Sequence, residues 1–479
     1  MSIKKNIVYN TILTVSNVAF PVITTPYVSR ILGVENVGIA NFATTYVMYF
    51  VLFASLGIPL YGIREIAKQN NNRNGISKTF TEIFTINSLS TLFFLLVYLI
   101  TIFSVPTLQK EKEYLFAAGI SLLFAPLNLD WFFSGREQFK FVTIRSIIAK
   151  LISFAGLFVF VRTRDDILPY LFLTAMSILI SQFYNFGYML KKEVTLRFKN
   201  LQLKKHIKPI LILFVSSVAI SIYTMLAPLL LGFFSDYKQV AYYTSAIKVS
   251  KMILPFVTAM SLVVVARINT IKETGDYLQQ STKLLTNSFD YMMMLAVPAT
   301  IGLIVIAPRF VPLFFGEEFN PVIVPMQLLS LLIVIIGLNN LFGTQVLVAL
   351  GHEKLFFKAI FFGTASNLIL NLLLIEKYGA IGASIASVIA EILVTIAACY
   401  FALKVITIKI NFKSIYQPIV GSLTIFPVSM AFDKIIKSDL VYILATGTTC
   451  IVLYAFILLC MFKHVRAKQI FNLIIVKIK

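Results

Sequence analysis

Residues 190–208 read Leu190-Lys191-Lys192-Glu193-Val194-Thr195-Leu196-Arg197-Phe198-Lys199-Asn200-Leu201-Gln202-Leu203-Lys204-Lys205-His206-Ile207-Lys208, a strongly basic stretch set between long apolar runs. What lies on either side gives it meaning. The chain has 479 residues, 58% hydrophobic and 13% charged, whereas soluble domains run near 45–50% and about 25%. That composition excludes a water-soluble globular fold. The apolar runs cover approximately 6–29, 37–62, 81–105, 114–134, 140–161 and 167–189 before the basic stretch. After it come 208–233, 239–266, 284–313, 321–350, 355–375, 380–403, 414–432 and 440–462. A bilayer-spanning helix needs about 20 apolar residues, whereas barrel strands are about ten long and alternate. The expected fold is therefore an all-α integral membrane protein of about 14 transmembrane helices.

The basic residues orient it. The formal net charge is +21, with 42 Lys and Arg. About 29 of them fall on the side that holds both termini and about 10 on the other, so the positive-inside rule places both termini in the cytoplasm. The charge thus marks a membrane face, and nucleic acid is not the expected partner. The 190–208 stretch is the heaviest of these loops, and a charged linker after six spans reads as a boundary between helical bundles. The expected organisation is an N-terminal lobe over 1–190, a cytoplasmic basic linker over 191–207 and a C-terminal lobe over 208–404. Two additional spans and a basic tail fill 405–479. A loose echo, Leu32-Gly33 with Val37-Gly38 against Leu231-Gly232 with Val240-Ala241, is consistent with duplicated lobes.

Several chemistries find no support. Cys399, Cys450 and Cys460 lie in apolar segments without a pairing or metal-binding pattern, so no metal site is expected. His206, His352 and His464 read as residues of polar connections, which argues against acyl transfer inside the membrane. There is no phosphate-binding glycine loop followed by Lys. The external loops are short, so an enzyme with an external active domain is not expected, and no catalytic residue is assigned.

Charges inside apolar spans are costly, and they normally face a cavity or a partner. Lys248 and Lys251, three apart, share one face of the eighth span, and Lys150 lies in the fifth. With no acid in the same helix, the lysine pair is expected to line a water-filled, anion-attracting cavity. Glu391 is either an ion site or the counter-ion of a lysine. Arg64, Arg309, Glu82 and Asp290 are expected to snorkel toward the interface. Pro21 and Pro26 interrupt the first span, and Trp131 reads as an interfacial anchor.

Five stretches carry a wider resemblance: Pro26-Tyr27-Val28-Ser29-Arg30-Ile31-Leu32-Gly33, Gly57-Ile58-Pro59-Leu60-Tyr61-Gly62-Ile63-Arg64-Glu65, Trp131-Phe132-Phe133-Ser134-Gly135-Arg136-Glu137, Phe314-Phe315-Gly316-Glu317-Glu318-Phe319 and Tyr378-Gly379-Ala380-Ile381-Gly382-Ala383. In order and spacing the chain resembles the bacterial Wzx-type polysaccharide flippases of the multidrug/oligosaccharidyl-lipid/polysaccharide superfamily. The resemblance implies a two-lobed bundle in the bacterial inner membrane that works by alternating access. Its cargo would be an undecaprenyl-pyrophosphate-linked oligosaccharide for O-antigen or capsule, moved from the cytoplasmic to the external leaflet. Lys248, Lys251, Arg30 and Arg64 are then the candidate binders of the pyrophosphate or acidic sugars. Glu391 and Asp290 are the candidates for proton or sodium coupling, with no other cofactor. Membrane lipids, a polysaccharide polymerase and glycosyltransferases are the implied neighbours. A drug/cation antiporter of the same superfamily and a non-transporting scaffold of envelope assembly are the alternatives.

Overall fold

The computed structural model describes residues 3–69, 72–271, 276–408 and 410–462. The basic tail beyond 462 lies outside the described residues. Among the described residues eighteen α-helices follow in order: α1 (Ile3–Ser55), α2 (Ile58–Lys68), α3 (Arg73–Ser104), α4 (Pro106–Lys110), α5 (Lys112–Leu123), α6 (Asp130–Gly135), α7 (Phe139–Phe160), α8 (Ile167–Lys192) and α9 (Lys204–Phe234) come first. Then come α10 (Tyr237–Thr258), α11 (Met260–Ile271), α12 (Tyr277–Phe315), α13 (Ile323–Ser330), α14 (Leu332–Asn339), α15 (Glu353–Val405), α16 (Lys413–Leu423), α17 (Ile425–Ile435) and α18 (Asp439–Phe456). Among the described residues, 10 helices are long and apolar enough to cross a membrane, or up to 11 if the bent pair Lys112–Leu123 and Ala125–Gly135 is one span. The protein is all-α and multi-pass.

Two of the runs that the count does not separate have a physical origin. α1 and α15 are each 53 residues long. A straight helix of that length would measure roughly 80 Å, about twice the thickness of a bilayer. Each one breaks at a glycine, Gly33 (φ 76°, ψ 175°) and Gly379 (φ 51°, ψ −129°). Left-handed φ strains any residue with a Cβ, so glycine is the residue that permits the break. Each long helix therefore carries two of the apolar runs. Pro21 and Pro26, expected to interrupt the first span, lie inside α1, and the non-helical backbone falls at Gly33 instead. Their ring constraints are absorbed by the helix, whereas Gly33 takes a conformation helices cannot.

By packing, the chain divides into two compact units, Met1–Ala241 and Tyr242–Lys479. In the first, α1 packs on α3, α5, α7 and α9, and α2 packs on α6. The echoed stretches meet there. A Cβ on Gly38 would lie 1.8 Å from the Tyr237 carbonyl oxygen, and one on Gly232 would lie 2.1 Å from the Phe42 ring. In the second, α12 is the central element and contacts α11, α13, α14, α16 and α18, while α15 packs on α13 and α14.

Trp131 is a core residue, not an interfacial anchor. It is 5% exposed and stacks on Phe80 with ring centroids 5.6 Å apart and planes 15° apart. Gly62 makes room for it, since a Cβ there would sit 2.2 Å from the indole. The aromatic run Trp131-Phe132-Phe133 therefore closes α6 against α2 and α3, with Ile58, Tyr61, Ile66 and Ile83 in the same cluster.

Candidate functional site

The candidate charges fall into two classes once their surroundings are known. Lys248 and Lys251 lie on α10, Lys248 half-buried and Lys251 exposed. Among the described residues neither has a hydrogen-bond or ion-pair partner. Their helix is anchored beside them: the Ser250 hydroxyl donates to the Leu329 carbonyl at 3.0 Å. A helix pinned by small polar contacts, with its cations left unengaged, presents positive charge to whatever occupies that face.

Glu391 lies on α15 and is 8% exposed. The Asn339 amide donates to its Oε2 at 3.3 Å. One helical turn earlier, the Ser387 hydroxyl is 2.9 Å from the Tyr243 hydroxyl of α10. Asn339 ends α14, where the chain passes into a π-helical segment, Asn340–Val348, and such wide turns recur beside functional residues. Asp290 is half-buried on α12.

Arg30 and Arg64 belong to the first unit, on α1 and α2, and both are exposed. Arg64 lies 3.8 Å from Glu65, whose carboxylate is more closely held by Lys68 at 2.8 Å. Tyr61 and Gly62 of the same motif face the core, and Arg64 is the basic residue on the exposed face that α2 shares among Leu60, Ile63 and Arg64.

Two other charges depart from expectation. Arg309 does not simply snorkel: its guanidinium reaches Asp433 and Asp439 at 2.8 Å each and lies 5.0 Å over the Tyr442 ring. It therefore ties α12 to α17 and α18.

Glu82 does not snorkel either, and His206 is not a connecting residue. Glu82 is 0% exposed on α3, and His206 is 1% exposed in the first turn of α9. His206 Nε2 lies 2.8 Å from Glu82 Oε2, and the Tyr61 hydroxyl lies 2.6 Å from His206 Nδ1. With its proton on Nε2, a neutral imidazole donates to the carboxylate and accepts from tyrosine, which satisfies both ring nitrogens. Lys205 Nζ reaches the same carboxylate oxygen at 2.8 Å, and the Gln202 backbone N–H donates to Oε1 at 2.9 Å. The linker follows the same helix: the N–H of Thr195 donates to the Ser77 hydroxyl at 3.1 Å and that of Arg197 to the Thr81 hydroxyl at 3.3 Å. The basic linker is thus strapped to α3. The only sequence hint was a carboxylate in the first turns of an apolar run, which needs a partner.

Asp130, near a span end, accepts from Arg145 at 2.8 Å and from Asn185 at 3.2 Å, so it too belongs to a structural network. Among the described residues, no group of three His, Cys, Asp or Glu side chains could hold a metal ion.

Comparison with known proteins bears on all of this. The family model described as "Polysaccharide biosynthesis protein" matches residues 3–272. A protein of Escherichia coli (strain K12), provisionally named an O-antigen transporter, is 24% identical over 403 residues, covering 82% of this chain and 95% of its own length. A counterpart from Shigella dysenteriae with the same name is 26% identical, covering 82% of this chain and 98% of its own. Among solved structures, the lipid II flippase MurJ in an inward closed conformation superposes with a TM-score of 0.81 at 17% identity, over 96% of this chain and 99% of that one. At that identity the likeness is one of fold.

Proposed function

This chain belongs to the polysaccharide biosynthesis protein family, and from that premise we propose that it is a lipid-linked oligosaccharide flippase. It turns undecaprenyl-pyrophosphate-linked repeat units from the cytoplasmic to the external leaflet by alternating access, supplying O-antigen or capsule assembly. The observation that carries this reading is a match running nearly end to end with relatives named for O-antigen transport. Those relatives are transporters rather than enzymes, and the chain is a transport protein of the same kind.

The chemistry of the second unit supports the cargo. Two cations three residues apart on a membrane helix, with no acid engaged, suit a pyrophosphate, whose oxygens accept strong charge-assisted hydrogen bonds. In this reading Lys248 and Lys251 are the candidate pyrophosphate binders of the second unit, and Arg30 and Arg64 those of the first. Glu391, buried beside a π-helical turn, is the candidate for proton or sodium coupling, with Asp290 as the second. Placement in a bacterial inner membrane with both termini cytoplasmic belongs to the same proposal. So do lobes over 1–190 and 208–404, and service to a polymerase and glycosyltransferases.

The test is reconstitution in vesicles with a fluorescent undecaprenyl-pyrophosphate oligosaccharide, reading leaflet exchange by quenching from outside. Exchange well above protein-free vesicles is expected. Exchange equal to protein-free vesicles would overturn the flippase reading. Export of cationic drugs without lipid exchange would replace it with the antiporter.

A further inference from the structure

Lys150 is a third cation inside a span, and its surroundings differ from those of Lys248 and Lys251. It lies half-buried on α7, and its ammonium donates to Ser16 Oγ at 3.1 Å and to Asn17 Oδ1, both on α1. The Phe20 ring lies 5.7 Å away. Every one of these partners is neutral. An ammonium has three N–H donors, so one remains.

Beside it lies a pocket of about 140 Å³, lined by α1, α7 and α8. The helices that line it offer no built-in counter-ion. Neither α7 nor α8 contains an aspartate or glutamate, and the one acid of α1, Glu35, is exposed and lies 3.9 Å from Lys238. The hydroxyls around the pocket are also divided in role. Thr24, Ser153 and Thr174 donate to main-chain carbonyls of Phe20, Leu173 and Leu171. Tyr170 and Ser177, on the same wall, have no such engagement among the described residues, and their O–H groups remain available to the pocket.

An unopposed ammonium at membrane depth is expensive, and a counter-charge within reach lowers that cost. We propose that this pocket is a binding site for a small monovalent anion of the halide class, held by the third N–H of Lys150 and the hydroxyls of Tyr170 and Ser177. One unopposed positive charge matches one negative charge, which separates this site from a multiply charged pyrophosphate. The volume fits a halide with a few waters, each occupying about 30 Å³. The bound anion would neutralise the seam between α1 and α7, so that the first unit carries an exchangeable counter-ion where other proteins place a carboxylate.

The test uses the full-length protein in lipid nanodiscs and the line width of the chloride NMR resonance, titrated with sodium bromide as competitor and sodium gluconate as inert control. Protein-dependent broadening that bromide removes and gluconate leaves is expected. The Lys150→Met variant should lose at least about half of it. Lys140→Met, which removes an exposed lysine at the start of the same helix, should lose none. Tyr170→Phe combined with Ser177→Ala, two small changes that keep the helices intact, should weaken the bromide-sensitive component at least about threefold. Broadening that is absent in wild type, or unchanged in both Lys150→Met and the hydroxyl variant, overturns the site.

Discussion

The Glu82–His206 cluster and the Lys248–Lys251 pair show opposite ways of placing charge in a membrane protein. In the first unit a fully buried carboxylate is met by an imidazole, an ammonium and a main-chain N–H. In the second, two ammonium groups on one helix meet nothing among the described residues. A charge whose hydrogen bonds are complete is part of the architecture, because removing it leaves its partners stranded. A charge whose bonds are left open is available to a ligand. Substitution at the first should therefore act on stability, and at the second on transport.

The sharpest way to break this contrast is Glu82→Gln. It removes the negative charge and leaves one acceptor oxygen where His206, Lys205 and the Gln202 N–H now share two, and should cost about 3 kcal/mol, the low end for a broken buried pair, because Lys205 is half exposed. Thermal unfolding in detergent would register it, and a Tm equal to wild type would show that the cluster is not structural. Close behind is the double variant Lys248→Gln with Lys251→Gln. Leaflet exchange should fall about 100-fold, equivalent to about 2.7 kcal/mol, with the Tm unchanged. If stability fell while exchange by the folded fraction persisted, the two regions would not differ as argued.

Gly62→Val adds a branched side chain where a single Cβ already meets the Trp131 ring, and overpacking of this kind costs about 1–3 kcal/mol. Trp131 is the sole tryptophan, so its emission reports the displacement directly; an unaltered spectrum would mean that the seam has slack. The smallest effect is expected at Asp166, in the loop before α8. The backbone N–H groups of Arg162 and Thr163 and the Thr163 hydroxyl hold its carboxyl below the usual aspartate value. The stability it lends is present at neutral pH and is lost only as pH falls through that lowered pKa. Asp166→Ala should flatten the acid limb of a Tm-against-pH curve slightly and leave exchange at pH 7 intact. A loss of exchange there would move this loop into the transport machinery.

Much of the fold was legible because span-forming runs are long, apolar and local. The breaks within α1 and α15 were half legible: Gly33 and Gly379 stood in the quoted stretches, but nothing local says that a helix continues on both sides of a break. Trp131 and His206 were misplaced for one reason. Their partners, Phe80 and Glu82, are distant in sequence, and packing across such separations leaves no periodic trace. The candidate site was legible only as far as charge type: Lys248 and Lys251 stand out by cost in lipid, whereas whether a partner meets them is a tertiary fact.

The strap of the linker on α3 has a consequence for how this segment can change. Its hold runs through main-chain N–H groups of Thr195, Arg197 and Gln202. Every residue but proline offers that donor, so the side chains of Thr195, Arg197 and Gln202 are free to drift as far as these three bonds are concerned, whereas Val194 is buried in the core and Lys205 and His206 hold Glu82 through their side chains. Its length is not free, because one inserted or deleted residue would put the donors out of step with Ser77, Thr81 and Glu82. The segment works as a measured tether, indifferent to spelling at those three positions and strict about span.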